Sequence, residues 1–385
     1  MLTAVSNATN PAAEPSRARL AVASAFLAQG MVFISLTTRL PVVKDTWDIG
    51  ETTLSLLLLM MVLLAGLGSV LAEMLARGRT SGSVLRGGLI LVSVAVPVVA
   101  LAPAFPLFVA GLAAYGVGLG VVDAASNMQA VAVEHAYRRP ILPSFHGAWT
   151  LGGLIGSVIT LATGGLAPVA VVAVVPLLVA FAPFLPRVGD PSPADVDVPW
   201  RPIVLVGLGM VLFYMVDTAA TTWGPTYLDT TFTTPERLVA LATLPYLVAT
   251  LVMRMAGDRL VARFGPVPVL RAGGMLAALS LTVVVAAPSW PVAVLGFTLL
   301  GIGVAVIAPL SYSAAARIAG GDDVPDHLRQ ARVDVVIGRF NQFNYVGALL
   351  GAVLTGLVGA DNLRLGFAVP MVLILAILPL ARAFR

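Results

Sequence analysis

The chain has 385 residues, 58% of them hydrophobic and 11% charged, with a net charge of +4. An ordinary soluble domain carries about 25% charged residues, so this composition excludes a water-soluble enzyme, a nucleic-acid binder and a disordered chain. The absence of cysteine and the count of three histidines exclude disulfides, thiol catalysis and a His-rich metal centre, and no cofactor is expected.

The mean hydropathy of +0.96 points to a multi-pass membrane protein. A span with its loop takes roughly 30 residues, which leaves room for about a dozen. Residues 1–18 are small and polar and are expected to form a disordered cytoplasmic tail. Six apolar segments follow: Leu20–Val43, Leu54–Ala76, Val84–Ala102, Pro106–Glu134, Ser144–Gly164 and Pro168–Pro186. A polar, Pro-rich linker covers 187–200. Six more segments complete the chain: Pro202–Leu228, Leu238–Gly257, Val267–Ala287, Pro291–Ile318, Val335–Val358 and Leu363–Ala383.

With the N-terminus inside, only Arg39, Lys44, Arg237 and Arg364 of the 23 basic residues fall outside. That asymmetry obeys the positive-inside rule and places both termini in the cytoplasm. The expected fold is therefore an all-α membrane protein. Its twelve transmembrane helices form two pseudo-symmetric six-helix halves, 19–186 and 201–385.

An internal repeat supports the halves. Glu73 and Asp258, Val84-Leu85-Arg86 and Val269-Leu270-Arg271, and Gly116-Val117-Gly118 and Gly301-Ile302-Gly303 all share one register. After an insertion in the second half, Phe145, Gly152 and Gly156 match Phe340, Gly347 and Gly351. The paired glycines are small-xxx-small motifs that allow close helix crossing. Repeated six-span halves mark transporters whose substrate site lies near the midplane.

Two acids resist explanation by topology. Asp123 falls near the middle of span 4 and Asp217 near the middle of span 7. A carboxylate at a helix centre costs about 2.5–3.5 kcal/mol on insertion scales, so such residues are functional by default. Both are candidates for proton coupling. Gly116, Gly120 and Asn127 share a stripe with Asp123, and Asn127 is placed to hydrogen-bond its carboxyl. Tyr214 and Thr221 share a stripe with Asp217. The alternative is that each acid only anchors neighbouring helices. Asp123 has Ala308 as its repeat counterpart, so the fold itself does not demand the acid. Other mid-depth candidates for solute contact are Gln29, Phe33, Asn127, Tyr214, Tyr246, Asn344 and Tyr345, although polar groups also tie helices together in bundles. His146 near the start of span 5 is a relay, a gate or, more simply, a helix-terminal hydrogen bond. Trp223 fits an interfacial anchor.

Several stretches resemble the major facilitator superfamily. Gly257-Asp258-Arg259-Leu260-Val261-Ala262-Arg263-Phe264-Gly265 is similar to its cytoplasmic signature loop, and Glu73 with Arg77-Gly78-Arg79 is similar to a degraded first copy. Within that superfamily, three stretches resemble the fucose-permease-like branch and its YbjJ-type relatives: Asp123-Ala124-Ala125-Ser126-Asn127, Phe145-His146-Gly147-Ala148-Trp149-Thr150-Leu151-Gly152-Gly153, and Asp217 with Trp223. That branch has an acid in span 1, where this chain offers Gln29. The resemblance implies a cytoplasmic gate or latch made by Glu73, Arg77, His146, Arg254, Asp258, Arg259 and Arg263, with Asp258 pairing to Arg259, Arg263 or a neighbouring helix end.

The reading is a monomeric secondary transporter in the plasma (inner) membrane. It moves a small polar, sugar-like solute by alternating access, driven by protons as a symporter. Proton-coupled efflux of a metabolite or drug is the alternative, and a non-transporting sensor on the same fold is more remote. A channel would show polar rings along several spans, and an intramembrane enzyme would show a catalytic cluster at one depth. Neither is present in the sequence.

Overall fold

Apolar runs of this length can satisfy their backbone in a bilayer only as helices or a closed barrel. In the computed structural model every regular element among the described residues is helical. Those residues are 13–163, 165–186, 198–235, 238, 241–321 and 326–385. Residues 1–12 of the expected tail, residues 187–197 of the expected linker, and Arg237 lie outside them.

The first part of the chain forms α1 (Ala13–Thr37), a short α2 (Leu40–Trp47), α3 (Glu51–Gly78), α4 (Ser81–Leu101), α5 (Phe105–Tyr137), α6 (Leu142–Thr163), α7 (Ala167–Val172) and α8 (Val174–Val179). Residues 13–18, expected in the tail, are already helix. Pro41 lies in the first turn of α2, where its missing N–H is no loss.

The second part forms α9 (Trp200–Thr218), a π-helical turn (Ala219–Trp223), α10 (Gly224–Phe232), α11 (Leu244–Phe264), α12 (Pro266–Ala286), α13 (Trp290–Val304), α14 (Ile307–Ala319), α15 (Asp326–Phe340), α16 (Gln342–Val358), α17 (Leu363–Leu373) and α18 (Ile377–Leu380). Two boundaries differ from expectation. The signature expected as a loop is helix up to Phe264, and only Gly265, at φ +77°, ends it. The segment expected from Val335 begins at Asp326 and breaks at Asn341.

Eight helical stretches among the described residues are long and apolar enough to cross a membrane. Leu56, Leu59, Leu63 and Leu67 of α3 are exposed along one stripe, as a lipid-facing surface requires. Inward faces pack through glycine. In α5, Gly120 lies against the backbone of Ala65 and Gly116 against that of Met61, so no Cβ fits at either position. Gly301 of α13 lies against Tyr246 in the same way. Both members of that contact are displaced by the repeat's 185 residues, from 116 to 301 and from 61 to 246. Gly152 and Gly156 of α6 meet Leu27 and Met31 of α1, and Gly347 and Gly351 of α16 meet Val211 and Met215 of α9. The repeat is therefore one of helix contacts as well as of letters.

Candidate functional site

The glycine stripe of α5 presses on α3 and turns Asp123 toward α1 and the α15–α16 break. Its carboxylate receives four donors. Gln29 Nε2 lies 3.2 Å from Oδ1. Asn341 Nδ2 lies 2.8 Å from Oδ2, Asn344 Nδ2 lies 3.2 Å away, and the Tyr345 hydroxyl lies 3.5 Å away. One donor thus comes from the first part of the chain and three from the second. The orientation of Asn341 is fixed from behind, because the Tyr312 hydroxyl donates to its Oδ1. Asn127 does not reach the carboxyl as expected. Its Nδ2 donates to the backbone carbonyl of Asp123 at 2.9 Å, one turn back on the same helix. Gln29 and Asn127 are buried, whereas Asp123, Asn344 and Tyr345 are half-buried.

Asn341 was missed by the sequence reading. It lies three and four residues before Asn344 and Tyr345, on the same helix face, and that spacing is the signal that would have found it.

Asp217 sits at the end of α9, just before the π-helical turn. Such turns are rare and gather at functional sites. The Tyr246 hydroxyl donates to Asp217 Oδ1 at 2.5 Å, so two expected residues come together. Tyr246 is fully buried, so it supports the acid and does not line open space. Thr221 donates to the Asp217 backbone carbonyl at 2.8 Å. Tyr214 is half-buried and packs edge-on against Phe213.

Two turns along α11 from Tyr246, Arg254 is 6% exposed. Its Nε donates to the carbonyl of Ala305 at 3.1 Å, and its Nη1 donates to Thr150 Oγ1 at 2.6 Å and to the His146 carbonyl at 3.4 Å. Ala305 lies between α13 and α14. Its helical partner would be residue 309, which is proline and has no N–H. The guanidinium fills that vacancy. His146 stacks on Tyr312 at 5.9 Å and lies tilted against Phe26 at 5.2 Å. Its side chain makes no helix-terminal bond, contrary to expectation, and Nε2 has no partner among the described residues.

Apart from the bonds to Asp123, the polar links between the two parts of the chain gather at one end. Glu73 accepts from Arg77 at 2.6 Å and from Arg339 of α15 at 3.1 Å. Ser69 donates to the Gly338 carbonyl at 2.9 Å, and Gln342 to the Gly66 carbonyl at 3.1 Å. Asp258 Oδ1 accepts from the backbone N–H of Ser144 at 3.0 Å, and Oδ2 lies 3.8 Å from Arg19. Glu134 accepts from the N–H groups of Ile141 and Leu142 at 2.8 and 2.9 Å. The unpaired donors at the start of α6 are thus capped by one acid of its neighbour α5 and one from α11. Burial raises the Asp258 carboxyl above the usual carboxylate range, opposed by the Ser144 hydrogen bonds and by the charges of Arg19 and Arg139.

Among the described residues Asp258 pairs with neither Arg259 nor Arg263, whose guanidinium lies over Phe264. At the opposite end the bonds stay within each part. Arg39 is held by Ser35, Thr160, Thr163 and Gly165, and Arg364 by Val285 and Ala287. Phe33 is half-buried beside Trp149, 6.1 Å between ring centres. Trp223 donates Nε1 to the Ala352 carbonyl at 2.9 Å, which makes it an inter-helix tie.

A helical multi-pass protein with repeated glycine contacts and polar residues meeting at mid-depth has the architecture of a membrane transporter. Residues 206–385 match the model of the Major Facilitator Superfamily. The uncharacterized transporter y4wD of Sinorhizobium fredii is 30% identical over 370 residues, covering 90% of this chain and 92% of that protein. An uncharacterized MFS-type transporter of Yersinia pestis is 26% identical over 375 residues, covering 93% and 94%. The outward conformation of FucP superposes with a TM-score of 0.76 at 16% identity, covering 95% of this chain and 98% of that one. The chain belongs to the major facilitator superfamily, and it is a transporter and not an enzyme.

Proposed function

We propose that the protein is a proton-coupled symporter that moves a small polar solute by alternating access. In this reading twelve helices form two six-helix halves with both termini in the cytoplasm. The monomer lies in the plasma membrane. The links at the Glu73 and Asp258 end then close the cytoplasmic side, and the site faces outward. FucP, with which the chain shares its fold, is a fucose:proton symporter, which supports the same coupling here.

The donor set of Asp123 carries the proposal. All four partners present N–H or O–H to the carboxylate, and only an ionised carboxylate can accept from all of them. Protonation turns one oxygen into a donor. An amide NH2 cannot accept that proton, so protonation of Oδ2, the oxygen that takes all three donors of the second part, breaks at least one link across the seam. Uptake of one proton therefore loosens the mid-depth connection between halves, and its release restores it. Gln29 stands on the same side as Asp123 and serves as the neutral partner of span 1.

Proteoliposomes under an imposed pH gradient test this. The wild type should accumulate solute, and Asp123→Asn should lose gradient-driven flux by about 100-fold while retaining exchange at equal concentrations. Undiminished gradient-driven flux in Asp123→Asn would overturn the assignment. Flux opposite to the proton would replace symport with efflux.

A further inference from the structure

The two mid-depth acids differ in how much hydrogen-bonding capacity they have left. Asp123 is engaged on both oxygens by four donors. Asp217 is engaged on Oδ1 alone by Tyr246, and its Oδ2 has no partner among the described residues. Asp217 as a residue is half-buried.

The nearest buried cation is in a matching condition. Arg254 spends Nε and Nη1 on the neutral acceptors Ala305, Thr150 and His146. Its Nη2 has no partner among the described residues. Arg254 and Asp217 are close enough for their charges to interact. No nitrogen of Arg254 comes within 4.0 Å of the carboxylate, the limit for an ion pair. Arg254 lies over Phe213, 5.8 Å from the ring centre and one turn of α9 from Asp217. A turn is about 5.4 Å along the axis. Tyr214 packs edge-on against Phe213, 4.8 Å between ring centres, and its hydroxyl has no bond among the described residues.

A half-buried carboxylate and a buried guanidinium that stop short of each other leave each charge without a direct counter-charge, which is costly in a low-dielectric site. A neutral polyol would supply hydrogen bonds but no charge. A solute with a cationic end and an anionic end would supply both.

We infer that Asp217 and Arg254 together bind the small dipolar head of the transported solute, an ammonium at Asp217 and a carboxylate at Arg254, with Tyr214 contributing from the same helix as Asp217. This rests on the transport reading and narrows it. The class is a zwitterion of amino-acid size in place of a neutral sugar. It also divides the work of the two acids: Asp123 holds the proton and Asp217 holds the solute.

The test uses full-length protein in detergent and in proteoliposomes. Matched sets of short probes are added: alpha-amino acids, the amines lacking the carboxylate, the carboxylates lacking the amine, and pentose or hexose sugars. Binding is read by thermal shift, and transport by counterflow. The amino acids should bind at least about tenfold tighter than either half-probe or any sugar, a difference of about 1.4 kcal/mol. Asp217→Asn should erase the preference for the amine, and Arg254→Gln the preference for the carboxylate, each by about tenfold. Asp217→Glu should recover part of the first. Tyr214→Phe, which keeps the ring, should weaken amino acids without changing which half-probe is preferred, so the test survives if Arg254→Gln does not fold.

Tight sugar binding unchanged in Asp217→Asn would overturn the inference and leave proton-coupled transport standing. Failure of every amino acid to bind would also overturn it. Binding of amino acids without any counterflow would instead sink the transport reading while keeping the site.

Discussion

Asn341 Nδ2 lies 2.8 Å from Oδ2 of Asp123, although 218 residues separate them in the chain. The same amide takes the Tyr312 hydroxyl on its other side. The acid is thus tied to a tyrosine of α14 through one side chain at the α15–α16 break. Asn341→Ala removes the shortest donor to Asp123 and strands the Tyr312 hydroxyl. It should cost about 1–3 kcal/mol, the penalty for leaving buried partners unpaired. Tyr312→Phe should cost less. The double variant should be no worse than Asn341→Ala alone, because the stranded hydroxyl is gone. Thermal unfolding of the four proteins measures this, and additive losses would show that the two residues do not form one unit.

Arg254 substitutes for a helical partner that Pro309 removes from Ala305. Arg254→Met should lower stability by about 1–3 kcal/mol through the stranded Ala305 carbonyl and Thr150. Pro309→Ala gives that carbonyl back a helical donor. In the Pro309→Ala background the loss at Arg254 should shrink by about 1 kcal/mol, a coupling that a double-mutant cycle resolves. Equal losses in both backgrounds would separate the guanidinium from the break.

Asp258 caps α6 from across the seam. Asp258→Asn keeps an oxygen for the Ser144 N–H and should be nearly neutral at low pH, whereas Asp258→Ala should cost about 1 kcal/mol, as removal of a cap does. A pH effect separates charge from capping. Because burial raises this carboxyl in the folded protein, the folded state holds its proton more tightly than the unfolded chain does. The contribution to stability is full below the ordinary value of about 3.9 and falls as pH rises through the folded value. Melting curves of wild type and Asp258→Asn across that window should converge at low pH, with the wild type the less stable above it.

The paired change Gly66→Cys and Gln342→Cys joins α3 to α16 where the Gln342 amide donates to the Gly66 carbonyl, at a position where a Cβ meets nothing closer than 3.4 Å. The chain has no cysteine of its own, so nothing else competes for oxidation. Oxidation should produce a cross-linked species with faster gel migration and block counterflow, and reduction should restore it. Full counterflow in the cross-linked protein would mean that this end does not open during transport.

Much of this site was legible because hydropathy made its members conspicuous. Asp123, Gln29, Asn344 and Tyr345 are polar at mid-depth in apolar runs, and they meet. Asp217 and Tyr246 were both singled out, but not as partners, since helix periodicity says which face a residue occupies and not which helix lies opposite. Of the three partners expected for Asp258, the structure shows the neighbouring helix end, at the start of α6, and neither Arg259 nor Arg263. Helix continuing to Phe264 turns the acid toward Ser144, 114 residues earlier. Arg339 was read only as a topological charge, and its pairing with Glu73 depends on how α15 lies against α3. Arg254 was read as part of the cytoplasmic latch, while its tie to Ala305 could have been inferred from Pro309.

The glycine contacts of the two parts of the chain bear on how the molecule moves. Gly116, Gly120, Gly152, Gly156, Gly301, Gly347 and Gly351 each bring two backbones together within one part. Contacts that admit no Cβ leave no slack for one helix to slide on its neighbour. The seam is held differently, by a handful of polar bonds, each worth only about 0.5–1.5 kcal/mol net, and by glycines that meet side chains of the other part at Gly147, Gly257 and Gly338. Deformation therefore concentrates where the structure is cheapest to undo. The parts would tilt as blocks, and a leucine or valine in place of one of these glycines would jam a block internally without touching the pivot.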